Sequence, residues 1–308
     1  MKKTSKKILF FGNERLATGV HSTVSTLQAL LASGYQVEAV VVAQREAGKS
    51  RSSRRLEVAV IVEQHNIPLL APTDLQAARD ELAAFGAEAA VLIAYGKIVP
   101  QAVLDLFPQG IVNVHPSLLP LHRGSAPLES VILEGARETG VSLMRLVSKM
   151  DAGPVYAQKT VALQGDETKQ ALADRLAAIG ADMVLEHLPS ILKGSSEPRP
   201  QNDSAATYDQ LINKDDSQLD WSKPATRLER EVRAYAGWPR SRARLGSTDV
   251  IITQAHVGEA SGQPGTLITD NKQLEVCCGQ GSLLIDSLIP VGKQEMSAKA
   301  FLAGYNLN

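Results

Sequence analysis

Asn113-Val114-His115-Pro116-Ser117-Leu118-Leu119-Pro120 follows the apolar pair Ile111-Val112 and leads into Arg123-Gly124. Side chains on a strand alternate faces with a period of two. Asn113 and His115 therefore share one face, and Val114 takes the other. Pro116 disfavours the helical region for His115 and keeps it extended. An amide beside an imidazole at the carboxyl end of a strand is a candidate catalytic pair, and ligands of open α/β sheets bind at that end. Two readings stay open on spacing alone. In one, Asn113 polarises a carbonyl oxygen and His115 moves a proton or acts as electrophilic partner. In the other, both are hydrogen-bonded polar groups that close a buried strand.

Outward from this stretch, apolar runs at 8–11, 37–42, 89–94 and 111–115 predict strands. Amphipathic runs at 21–32, 56–65, 75–85, 101–107 and 126–134 predict helices, the first ended by Gly34. Strands that alternate with helices of this length predict an α/β fold, a Rossmann-like, mostly parallel sheet with helices on both sides. Gly12 closes the first strand, but no G-x-G-x-x-G follows it, which argues against a dinucleotide cofactor.

The pattern then changes. Residues 140–147 and 155–163 predict two strands around the turn 149–154, and 169–192 a long amphipathic helix. The proline-rich polar stretch 194–204 reads as an interdomain linker. Residues 224–236 read as a helix carrying Arg227, Arg230 and Arg233. Short β-like runs follow at 250–253, 265–268, 274–277 and 283–288 and predict a small OB-like β-barrel or a sandwich. The expected division is a catalytic domain over 1–193, a linker over 194–206 and a β-barrel domain over 207–308.

The chain has 308 residues and a net charge of −1, so no global basic field advertises nucleic acid and any RNA contact must be local. The lysine-rich start is followed by only the apolar run 8–11, too short for a signal sequence. No segment approaches the roughly 18 apolar residues of a membrane span. The two cysteines, Cys277 and Cys278, are adjacent and have no metal-ligand spacing, so a reduced cytoplasmic protein without a metal is expected. His21, His65, His122, His187 and His256 lack clustered partners and are expected to be structural or superficial.

Three further features bear on chemistry. Asp151 sits in the 149–154 turn; a carboxylate near His115 would orient the imidazole and favour its charged form, whereas a turn aspartate commonly bonds its own backbone. The loop from Ser117 to Pro127 either offers backbone amides to a polar ligand or simply starts a helix, with Ser125 as its cap. The segment 44–55 carries Arg45, Lys49, Arg51, Arg54 and Arg55 against Glu46 alone; it grips phosphates or is a solvated surface loop.

Taken together, these residues resemble the formyltetrahydrofolate-dependent formyltransferases. Asn113-Val114-His115-Pro116-Ser117-Leu118-Leu119-Pro120 with Arg123-Gly124, and Asp151 in a later turn, match that family's motifs. The resemblance implies a catalytic triad of Asn113, His115 and Asp151. It implies folate binding by Ser117, Leu118, Leu119 and Pro120, and by Tyr95 and Gly96 in Ala94-Tyr95-Gly96-Lys97-Ile98-Val99-Pro100. The donor it implies is 10-formyltetrahydrofolate, with no metal.

The segments Ile212-Asn213-Lys214-Asp215-Asp216, Leu219-Asp220-Trp221, Arg233-Ala234-Tyr235-Ala236-Gly237-Trp238-Pro239 and Pro290-Val291-Gly292-Lys293 resemble the branch whose acceptor is initiator methionyl-tRNA. That branch implies tRNA contacts at Arg45, Lys49, Arg51, Arg54, Arg55 and Arg233, a monomer and no membrane association. Two competing expectations are a sugar-nucleotide N-formyltransferase using the same donor and a non-catalytic RNA-binding protein. Against the family pattern, Gly12-Asn13-Glu14 lacks the usual Gly-Thr-Pro-like turn, Ala94 stands where proline is common, and Ala236-Gly237 replace Asn-Pro.

Overall fold

A computed structural model describes residues 7–43, 55–269, 273–305 and 307. The chain divides into two compact units. Unit 1 comprises Met1–Leu128, Glu138–Leu163 and Ala171–Gln210, and unit 2 comprises Glu129–Arg137, Gln164–Gln170 and Leu211–Asn308.

The strands of unit 1 are β1 (Lys7–Gly12), β2 (Gln36–Val41), β3 (Leu69–Leu70), β4 (Ala89–Ile93), β5 (Ile111–His115), β6 (Glu138–Arg145) and β7 (Val155–Ala162). They form one sheet in the order β3-β2-β1-β4-β5-β6-β7. The first five are parallel, and β6 and β7 are antiparallel additions. Strands covered on both faces read as continuous apolar runs. That is the case for Ala-Ala-Val-Leu-Ile in β4, every residue of which is buried. β7 ends the sheet and leaves residues exposed along its length.

The intervening helices are α1 (Ser25–Ala32), α2 (Glu57–Gln64), α3 (Arg79–Ala84), α4 (Gln101–Leu104), α5 (Pro127–Glu134) and α6 (Lys169–Leu192). The run 21–32 becomes helical only at Ser25, because Val24 adopts a left-handed conformation (φ 54°) with its N–H bonded to Ser22 Oγ. The run 75–85 is likewise helical only over Arg79–Ala84. The chain leaves β1 toward β2 and β4 toward β5, so the sheet reverses direction between β1 and β4. Crevices at such switch points, outside the carboxyl ends of the strands, bind ligands in open α/β sheets. Gly12 is needed there: its φ is +111°, and a Cβ would fall 1.8 Å from the Ile93 carbonyl oxygen.

Unit 2 contains α7 (Ala225–Ala234), then β8 (Ser241–Leu245), β9 (Thr248–Gly258), β10 (Leu267–Ile268), β11 (Leu274–Cys277), β12 (Ser282–Pro290), β13 (Met296–Ser297) and α8 (Ala298–Gly304). Its sheet is antiparallel, in the order β10-β11-β12-β9-β8, with β13 paired to β12. The β9–β12 ladder shifts register twice, as expected of a sheet that curls. Leu228, Val232, Leu245, Ile252, Leu283, Ile285 and Phe301 fill the core on one face. Cys277 and Cys278 are free and buried, and burial pushes the Cys278 thiol up to about 11. No helix among the described residues is long and apolar enough to cross a membrane.

Candidate active site

β5 lies between β4 and β6, with Asn113 opposite Leu92 and Met144 and His115 opposite Ser142. Asn113 and His115 share one face and are 6% and 5% exposed, so both polar groups are almost removed from water. Val114 takes the other face, where a side chain on Gly180 of α6 would come within 2.7 Å of it.

His115 Nε2 lies 2.8 Å from the backbone carbonyl oxygen of His122. A carbonyl only accepts, so Nε2 carries a proton and Nδ1 is the nitrogen left open. Nδ1 is 3.7 Å from Asp151 Oδ1, within ion-pair range and beyond hydrogen-bond length. The second carboxylate oxygen of Asp151 accepts from the Gly124 N–H at 2.8 Å. Among the described residues, no protein group hydrogen-bonds the Asn113 carboxamide. The structure therefore brings Asn113, His115 and Asp151 to one place, with the amide donors free for a ligand.

The stretch 199–209 is built into unit 1. Arg199 pairs with Val155, and Tyr208 with Arg123. The Gln201 amide donates to the carbonyls of Asp151 and Gly153 at 2.8 and 2.7 Å. Its oxygen accepts from Nε and a terminal nitrogen of Arg123. Arg123 is wholly buried and also donates to Asp203 and to the Tyr208 hydroxyl. The Asp203 carboxyl is held below its ordinary range by its bonds to Arg123 and Lys149.

His122 corrects the expectation that it has no clustered partner: its Nδ1 meets Asp209 at 3.0 Å, and its N–H donates to Thr207 Oγ1. Asp209 lies 87 residues away in sequence, so no local pattern announces it. Arg123 stood within a quoted motif without a role, and Gln201 lay in the presumed linker.

The 117–121 loop is held from β6 and β7. Ser142 Oγ donates to the Ser117 carbonyl and accepts from the Leu119 N–H, and Gln158 donates to the Leu119 carbonyl and to Ser142. Ser117 is buried and spends its hydroxyl on the Leu121 carbonyl. Leu119 is also buried, whereas Leu118 and Pro120 are half-buried. The Leu119-Pro120 peptide is cis.

On β4's side, Tyr95 is buried edge-on against Phe11 at 5.6 Å, and burial raises its hydroxyl pKa. Gly96 is exposed, with φ +76° and nothing within 4 Å of where a Cβ would stand. Glu14 turns its carboxylate onto the Thr26 and Leu27 N–H groups at the start of α1, both at 2.9 Å. That end of α1 is thus filled by the chain's own anion. Burial raises the Glu14 pKa, against those hydrogen bonds.

Arg45, Lys49, Arg51 and Arg54 lie outside the described residues. Arg55 is exposed and paired with Glu63 at 2.6 Å. Arg233 is not displayed to solvent as a phosphate-gripping residue would be. Its guanidinium forks onto Glu229 and donates to the Glu167 carbonyl. These bonds, inside unit 2, leave it 14% exposed. Among the described residues, no group of His, Cys, Asp or Glu could hold a metal ion.

Residues 6–188 match the formyl transferase family, and residues 211–306 match the formyl transferase C-terminal domain. The chain is 39% identical to a methionyl-tRNA formyltransferase of Methylococcus capsulatus over 98% of this chain and 97% of that one. HypX from Aquifex aeolicus, solved in complex with tetrahydrofolic acid, shares the fold with a TM-score of 0.66 and 17% identity; the match covers 96% of this chain and 46% of that one. An N-formyltransferase from Helicobacter canadensis, solved with folinic acid and dTDP-3-aminofucose, gives 0.65 and 15% identity over 94% of this chain and 99% of that one.

Proposed function

The chain belongs to the formyl transferase family, and from that premise we propose that it transfers a formyl group to the α-amino group of initiator methionyl-tRNA. The donor we assign is 10-formyltetrahydrofolate. Its formyl amide on a folate nitrogen is already activated, so the reaction needs no metal. The observation that carries the chemistry is the Asn113 carboxamide, without a hydrogen-bond partner among the described residues, beside an imidazole whose Nδ1 faces Asp151.

As the acceptor amine attacks the formyl carbon, charge develops on the formyl oxygen. Asn113 donates to that oxygen, and cationic His115 stabilises it further; one preorganised donor of this kind is worth about 3–4 kcal/mol. His115 Nδ1 takes the proton shed by the attacking amine, which makes the imidazole cationic, and gives it to the folate nitrogen as the formyl C–N bond breaks and tetrahydrofolate leaves. Asp151 holds the charged imidazole in place through ion pairing and an ordered water. Gly96, Leu118 and Pro120 follow the carboxyl ends of adjacent parallel strands and offer surface to the pterin. Ser117, Leu119 and Tyr95 act from behind, as the wall that shapes the loops.

We assign catalysis to 1–193, the connection to 194–206 and the tRNA contacts to 207–308 together with Arg45, Lys49, Arg51, Arg54 and Arg55. In this reading Arg233 supports tRNA binding by tying α7 to the Glu167 carbonyl. The protein acts as a cytoplasmic monomer. Similarity over nearly the whole of a methionyl-tRNA formyltransferase, at more than twice the identity of the sugar-directed neighbour, supports tRNA as acceptor. The test is formyl transfer to charged initiator tRNA, with charged elongator tRNA and a nucleotide amino sugar as controls. Formylation of the sugar alone would reverse the assignment.

A further inference from the structure

We propose that Gln201 is a positioning residue for Asp151, an inference that rests on the formyl-transfer reading above. Asp151 reaches His115 from a turn whose backbone is in a costly state: its own φ is +45°, left-handed for a residue with a Cβ. Such a conformation persists only where the surroundings over-determine it. Two opposed contacts do so. From one side, Gly153 presses on β6 so closely that a Cβ would lie 1.8 Å from the Arg145 carbonyl oxygen. From the other, both amide hydrogens of Gln201 are used, one on the Asp151 carbonyl and one on the Gly153 carbonyl.

The orientation of that amide is decided by Arg123. A guanidinium only donates, so the side of Gln201 facing it must be the oxygen, and the NH2 must face the turn. Arg123 is itself wholly buried and fixed by Asp203 and Tyr208, leaving it little freedom to follow a displaced Gln201. The turn then delivers Asp151 with one carboxylate oxygen on the Gly124 N–H and the other toward His115. Gln201 touches no reacting atom; it acts on the reaction through the placement of Asp151. Its position in a polar, proline-rich stretch concealed that role from the sequence.

The test is a double-mutant cycle on the full chain with 10-formyltetrahydrofolate and charged initiator tRNA. Gln201→Met keeps the volume and removes the donors. Gln201→Glu keeps the bonds to Arg123 but turns an acceptor toward two carbonyls. Each should lower kcat on the order of tenfold to a hundredfold, as a misplacement near 1 Å does, and leave both KM values within about twofold. In an Asp151→Asn background, the same changes should cost less than about twofold more, because residues acting through one group are not additive. Losses that multiply in full in that background would overturn the proposal. So would a fall in turnover that only tracks the folded fraction measured by thermal unfolding. Wild-type turnover separates the two levels. Its absence overturns the functional reading beneath the proposal; its presence with multiplied losses overturns the proposal alone.

Discussion

The carbonyl oxygen of His122 receives the Nε2–H of His115 at 2.8 Å, and this bond decides which imidazole nitrogen is left open toward Asp151. Neutral His115 is predicted to be the Nε2–H tautomer, with Nδ1 open toward Asp151. Nitrogen-15 NMR of labelled protein checks this by correlating each ring nitrogen with its proton. A neutral His115 protonated at Nδ1 would contradict the assignment.

Glu14 supplies a pH test with a definite sign. Burial raises its pKa above 4.5, so the folded state holds that proton more tightly than the unfolded state. Its contribution to stability is fully present below 4.5 and is lost as pH rises through the folded value. The Tm of wild type relative to Glu14→Gln should therefore fall from about pH 4.5 toward neutrality. A wild type that gains on the variant with rising pH would mean that the Thr26 and Leu27 N–H groups outweigh burial.

Gly12 and Gly96 both have positive φ, yet they differ in surroundings. Gly12→Ala drives a Cβ into the Ile93 carbonyl and should cost about 3 kcal/mol or more. Gly96→Ala meets open space and should cost only about 1–2 kcal/mol, the backbone strain alone. Urea denaturation of both variants measures the difference, and equal losses would contradict the crowding at the β1–β4 switch point.

Charge on the 44–55 segment should act on one substrate only. Replacing Arg51, Arg54 and Arg55 with alanine should weaken tRNA binding and flatten its salt dependence, because each lost phosphate contact removes released counterions. Folate affinity should hardly move. Parallel losses for tRNA and folate, with the salt slope unchanged, would contradict a phosphate-gripping role.

What could be read from the chain alone follows a physical line. Pro116 and the alternation of Asn113, Val114 and His115 are local signals, and the strand they predict is β5, with the candidate pair at its carboxyl end. The apolar runs of β1 and β4 likewise announce buried parallel strands. β8 escaped because Ser-Arg-Ala-Arg-Leu buries small or single apolar residues between exposed arginines, which mutes its hydrophobic signal. The shortened start of α1 depends on the left-handed Val24, which no helix propensity reveals. Contacts of high sequence separation were the least legible. Asp151 meets Gly124 across 27 residues, Gln201 meets Asp151 across 50, and Arg123 meets Asp203 across 80. In each case a strand pair or a bound connector, not spacing, brings the groups together.

The most direct test of the account is single-turnover formylation of charged initiator tRNA by wild type, Asn113→Ala and His115→Ala, with folding checked by thermal unfolding. Wild type should formylate initiator methionyl-tRNA from 10-formyltetrahydrofolate. Each variant should remain folded and lose at least about a hundredfold in rate, the size expected for removing an oxyanion donor or a general acid–base. A folded His115→Ala protein with near-normal turnover would remove His115 from the mechanism and contradict the central claim.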